Sequence, residues 1–116
     1  MSEAEIQYAI RIALGRIPDL RIFRNNVGVA DVRGTKMRFG LTKGSSDLIG
    51  FMRHEINGVK IARFVSLEIK TETGKTTPEQ DLWLALVRAF GGFACVVRSV
   101  EEALAAVERA RAGAYE

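Results

Sequence analysis

Asn57-Gly58 constrains this chain more than any other pair of neighbours in it. Asn-Gly between two apolar runs is the strongest short-range signal for a β-hairpin closed by a two-residue type I′ turn. With the turn at 57–58, Leu48–Ile56 folds back on Val59–Lys70, and residues pair when their numbers sum to 115, as Ile56 and Val59 do. That register sets Asp47 opposite Glu68. Directly opposed side chains have Cβ atoms about 4.5–5.5 Å apart, and like charges placed there destabilise a sheet. Lys70 lies two residues beyond Glu68 and so on the same face. One lysine does not neutralise two carboxylates in an apolar strand region, so the pattern D-x20-E-I-K predicts a cation held between the acids. Gly50 is the weak point of this register. A β-bulge there shifts the pairing by one residue and turns Asp47 to the other face.

The rest of the chain supplies a setting for such a hairpin. Ser2 to about Gly15 reads as an amphipathic helix, with Ile6, Ala9, Ile10, Ala13 and Leu14 on one stripe. Arg21–Val27 reads as a strand. Gly28 to Ser46 carries Gly28, Gly34, Gly40 and Gly44 among scattered charges, and reads mostly as loop with a short strand at Met37–Leu41. Thr71–Thr77 is a polar loop. Pro78 opens a helix that runs to about Phe90 and stops at Gly91-Gly92. Phe93–Arg98 is a last strand, and Ser99 caps a helix running to about Arg111. The order α-β-(β)-β-β-α-β-α, with central strands apolar on both faces near the acids, predicts an α/β fold with a mixed sheet flanked by helices.

Length and composition narrow the function. A chain of 116 residues supports one domain, 1–116, with a single core. It has no apolar run approaching a membrane span, and Met1-Ser2-Glu3-Ala4-Glu5 has neither the basic nor the apolar region of a signal peptide. The single cysteine, Cys95, sits within the apolar run Phe93–Val97, which argues for a core residue in a reducing compartment and against a disulfide scaffold. The single histidine, His54, excludes paired-histidine metal sites. A net charge of +3 is compatible with a nucleic-acid partner without specifying one.

Other motifs have plainer readings. Gly74-Lys75-Thr76 lies where a phosphate-binding loop would, but the glycine such a loop needs five positions earlier is Ile69, so no nucleotide cofactor is expected. Ser2-x-x-Glu5 and Thr77-x-x-Gln80 are capping boxes, in which the polar third residue reaches back to the helix start. Arg24, Lys36, Arg38, Lys43 and Arg98 are phosphate contacts or solvated surface residues on spacing alone.

Gly44-Ser45-Ser46-Asp47, Glu68-Ile69-Lys70 and Gln80 on the next helix resemble the PD-(D/E)xK nuclease superfamily, and more narrowly the virus-type replication-repair nuclease (VRR-NUC) family. The resemblance extends over Gly44–Leu48, Glu68–Thr71, Gly74-Lys75, Thr77–Gln80 and Gly91–Ser99, nearly the whole chain. Ser46 stands where the superfamily name has proline. The resemblance implies a restriction-endonuclease-like core of order α-β-β-β-α-β-α and a metal-dependent endodeoxyribonuclease. Asp47, Glu68, Lys70, Gln80 and Glu5 are its implied catalytic residues. Mg²⁺, replaceable by Mn²⁺, is held by Asp47, Glu68, the backbone carbonyl of Ile69 and Glu5, the last directly or through water. Arg24, Lys43, Ser45, Ser46 and Lys75 are the expected DNA contacts. The resemblance further implies a Holliday junction resolvase-like homodimer acting on branched DNA in DNA repair, intracellular, of bacterial or phage origin. An endonuclease without junction preference, or an inactive DNA-binding module, is the alternative.

Overall fold

The hairpin forms in the expected register. In the computed structural model, which describes residues 1–116, β1 (Leu20–Arg24), β2 (Gly28–Val32), β3 (Thr35–Phe39), β4 (Leu48–Ile56), β5 (Val59–Ile69) and β6 (Phe93–Val97) alternate with α1 (Glu3–Leu14), α2 (Pro78–Ala89) and α3 (Val100–Arg111). β4 and β5 pair antiparallel from Ile56↔Val59 to Leu48↔Leu67. Asn57 and Gly58 close them with φ of 51° and 81°, both in the left-handed region the turn requires. Gly50 introduces no bulge: it pairs with Val65. Its lack of a side chain serves β1 instead. A Cβ at Gly50 would lie 1.8 Å from the carbonyl oxygen of Arg21, so only glycine lets β1 run alongside β4 at this point.

The main sheet has strand order β1-β4-β5-β6, antiparallel except for the last pair. The parallel β5–β6 pair needs a crossover, and α2 supplies it. Period-two alternation sends the two faces of the sheet to different helices. Leu48, Met52, Val65, Leu67, Ile69, Phe93, Cys95 and Val97 pack with Ile6, Ile10 and Leu14 of α1 and Ala103, Ala106, Val107 and Ala110 of α3, forming the main core. Ala94 and Val96 face the other way, against Trp83, Leu84 and Val87 of α2. Glu68 and Ser66 alternate with Leu67 and Ile69 and so share the α2 face. Burial pushes the Cys95 thiol up to about 11, so this core residue stays protonated at neutral pH. No helix is long and apolar enough to cross a membrane.

Residues 28–46 differ from expectation. Instead of a loop with one short strand at Met37–Leu41, β2 and β3 form a separate antiparallel ribbon, Gly28↔Phe39 through Val32↔Thr35. Its turn is Arg33-Gly34, with φ of 53° and 80°. Asp31 makes this turn possible with an unfavourable residue at its first position, because its carboxylate accepts the Gly34 N–H at 3.1 Å.

Candidate active site

Asp47 ends the loop before β4 and is fastened twice. Its carbonyl accepts the Asn25 N–H at 2.8 Å, and its Oδ2 accepts the Ile69 N–H at 2.9 Å. The second bond carries the acid across to β5, beside Glu68. Glu68 is buried, 2% exposed, and one of its oxygens, Oε2, has no hydrogen-bond partner. Oε1 accepts from Gln80 Nε2 at 3.0 Å and lies 3.9 Å from Lys70 Nζ. Burial and the neighbouring Asp47 push the Glu68 carboxyl up to about 8, against a smaller opposing pull from Lys70. The Asp47 carboxylate is within hydrogen-bond reach of this carboxyl. The space between the acids therefore calls for a positive particle, either a proton or a metal cation.

The elements around the pair hold it from three sides. Gly44 (φ 89°) lets its loop meet the start of α2: a Cβ there would lie 2.6 Å from the Glu79 carbonyl oxygen. Arg98 donates to the carbonyls of Thr71 (2.6 Å) and Gly74 (2.7 Å), shaping the loop that follows Lys70. Trp83 Nε1 donates to buried Ser66 at 2.9 Å, seating α2 on β5 one turn beyond Gln80. Gln80 itself does two jobs at once. Its Oε1 accepts the Thr77 N–H at 2.9 Å, completing the cap, while its Nε2 binds Glu68. Capping does not require the whole side chain, because a primary amide has a separate acceptor and donor.

Glu5 stands apart from this group. Its Oε1 accepts the Ser2 N–H at 3.0 Å and its own N–H donates to Ser2 Oγ at 3.1 Å; the side chain lies exposed, and bonds from Ser2 lower its carboxyl from the ordinary range. The α1 carboxylate whose charge reaches Glu68 is Glu3.

The expected DNA contacts divide as well. Ser46 is completely buried and out of reach of a surface ligand. Ser45 spends its hydroxyl within the loop, donating to Thr42 O at 2.6 Å and accepting from Asn25 Nδ2 at 2.8 Å. Lys43 and Lys75 are exposed. Arg24 is exposed too, but it pairs with Leu48 and so starts from the sheet face opposite Asp47.

Oxygen donors only, one of them buried and unpartnered, fit a hard divalent cation, which is bound through one or two carboxylates and keeps water on its other positions. No third Asp, Glu, His or Cys side chain completes an all-protein cage. The fold and this pair together define a restriction-endonuclease-like α/β domain. Residues 31–101, more than half of the chain, match the VRR-NUC domain, and the chain belongs to that family. It is therefore a nuclease domain, with DNA as the implied substrate. No curated protein matches the chain.

Proposed function

We propose that this chain is a Mg²⁺-dependent, structure-selective endonuclease that hydrolyses phosphodiester bonds in branched DNA, as a Holliday junction resolvase-like homodimer. The observation that supports this most is the buried Glu68 carboxyl, its Oε2 unpartnered, beside Asp47, Lys70 and Gln80. Asp47 and Glu68, with the Ile69 carbonyl, would hold the cation, which when bound supplies an acidified water and neutralises charge on the phosphoryl oxygens. Glu3, in place of Glu5, is the α1 acid that adds negative potential there. Lys70 offsets the phosphate's charge and orients the proton of the attacking water. Gln80 keeps Glu68 in place. A two-fold dimer presents two such sites for the paired cuts a four-way junction needs.

The test is cleavage of a labelled four-way junction, a flap and a linear duplex, in Mg²⁺ and in EDTA, by wild type and Asp47→Ala. Mg²⁺-dependent cutting, preferential for the junction and lost in the variant, is the expected result. Equal cutting of all three substrates would leave an endonuclease and remove the resolvase reading. Light scattering should give twice the chain's 12.8 kDa.

A further inference from the structure

The charge of the chain is unevenly placed. Residues 24–43 hold five basic side chains, Arg24, Arg33, Lys36, Arg38 and Lys43, against the single acid Asp31. The other 96 residues hold twelve basic and thirteen acidic side chains. All of the net positive charge thus belongs to the ribbon and its roots. None of these five cations forms an ion pair or a side-chain hydrogen bond, and Asp31 is committed to the turn. Elsewhere the free cations Arg11, Arg16, Arg53, Lys60 and Lys75 are scattered along the chain, and Arg63, Arg98 and Arg111 each bind several oxygens within the fold.

The ribbon's position gives this charge a direction. Neither β2 nor β3 packs substantially on another helix or strand, and every residue of β3 is exposed. Asn25 ties its two roots together, donating to Ser45 Oγ and to Ser46 O (2.9 Å) and accepting the Leu41 N–H (3.4 Å), and its own N–H is on Asp47 O. The ribbon therefore projects from the residue that begins the acidic pair. Cross-strand pairing puts Arg38 beside Val29 and Lys36 beside Asp31 on one face, with Arg33 at the tip. The other face is Gly28/Phe39, Ala30/Met37 and Val32/Thr35, with the Phe39 ring lying over Gly28. Five residues per strand span roughly 17 Å, about five base-pair steps, and B-DNA's major groove, about 12 Å wide, admits a two-stranded ribbon.

We infer that the β2–β3 ribbon is a duplex-binding arm, whose Arg33, Lys36 and Arg38 contact backbone phosphates along a groove of the DNA arm flanking the bond to be cut. The inference rests on the nuclease reading above and adds to it the surface that grips the duplex. An isolated two-stranded ribbon is marginal in water, and phosphate contacts to its tip hold it in place.

The experiment compares wild type with the triple variant Arg33→Asn, Lys36→Gln, Arg38→Gln. Asn at 33 suits the left-handed backbone, and the other two positions are exposed. Fluorescence anisotropy would follow binding of a labelled 20-base-pair duplex, and of one of its single strands, in Ca²⁺ across a range of NaCl. Three lost phosphate contacts should weaken duplex binding on the order of a hundredfold at about 0.1 M salt and make the log–log salt slope shallower by about 2–3. The loss on the single strand should be much smaller, and the melting temperature and mass by light scattering should not change. If wild type binds and cuts DNA but the variant binds duplex with the same affinity and slope, the arm is refuted and the nuclease stands. Equal losses on duplex and single strand remove the duplex assignment. A variant that falls from dimer to monomer shows the ribbon to be an interface between copies instead. Wild type that neither binds nor cuts DNA removes both readings.

Discussion

Glu68 carries two opposed demands. Its carboxyl is buried beside another acid and held protonated up to about pH 8, whereas a metal ligand must be ionised. In the metal-free protein the folded state keeps a proton that the unfolded chain releases near pH 4.5. The folded state thus binds the extra proton between these values, and stability falls as pH rises from about 4.5 to about 8, then levels off. At about 1.4 kcal/mol per pH unit the drop is at most roughly 5 kcal/mol. In EDTA, urea unfolding of wild type at pH 5, 6.5 and 8 should show this decline, and Glu68→Gln should flatten it and be the more stable protein at pH 8. Parallel pH curves would refute the account. Mg²⁺ at pH 8 should stabilise wild type by mass action and leave Glu68→Gln unmoved. The juxtaposition behind this behaviour was legible in the sequence, because a two-residue turn and a period of two fix the register once Gly50 pairs without a bulge. The choice between Glu3 and Glu5 was less so. It depends on how α1 sits over the sheet, which periodicity alone does not give.

Among the elements, the start of α2 joins folding to the site most directly. Thr77 Oγ1 accepts the Gln80 N–H at 3.2 Å, and Gln80 returns its Oε1 to the Thr77 N–H. Thr77→Ala removes the first bond and keeps the second, so it should cost about 1 kcal/mol of stability with little effect on cleavage. Gln80→Ala removes the return bond and also the donor to Glu68. It should cost a similar amount of stability and reduce cleavage at least about tenfold. Equal effects of the two substitutions on the cleavage rate would show that Gln80 acts only as a cap. The strand pair β1–β4 gives a second test. Gly50→Ala places a methyl group against the Arg21 carbonyl, and relief requires the backbone of β1 to shift. A loss of about 1–3 kcal/mol in urea unfolding is expected. Gly50 drew attention in the sequence as a bulge candidate. The close approach of β1 that actually demands it involves a strand distant in sequence, so no local pattern announces it. The ribbon was missed for a related reason: Arg33-Gly34 is not a preferred turn pair, and it depends on the Asp31 side chain.

At the scale of the whole molecule, Arg63 joins layers that the sheet alone would leave separate. It stands on β5 on the same face as Val65 and Leu67. Its guanidinium donates to Gly91 O (3.0 Å) beyond α2, to Ala110 O (3.1 Å) in the last turn of α3, and to Ala114 O (2.6 Å) in the terminal segment. The Tyr115 ring lies 5.3 Å from its central carbon, and Tyr115 O in turn accepts the Ala94 N–H of β6. Carbonyls at helix ends have no partner within the helix, and together they attract a cation. One rigid fork thus satisfies acceptors from two helix ends and the tail. Lysine keeps the charge but presents a single point of donors on a flexible stem and cannot span the three positions. Hydrogen bonds from a charged group contribute about 1.5–3 kcal/mol, so Arg63→Lys should lose roughly 2–4 kcal/mol in urea unfolding. Arg63→Met should lose more, because it also discards the charge. Arg63 is five residues from Glu68, about 17 Å along an extended strand, so cleavage by the folded variant should stay within about twofold of wild type. Unchanged stability in both variants would mean that the helices and the tail hold their places without Arg63.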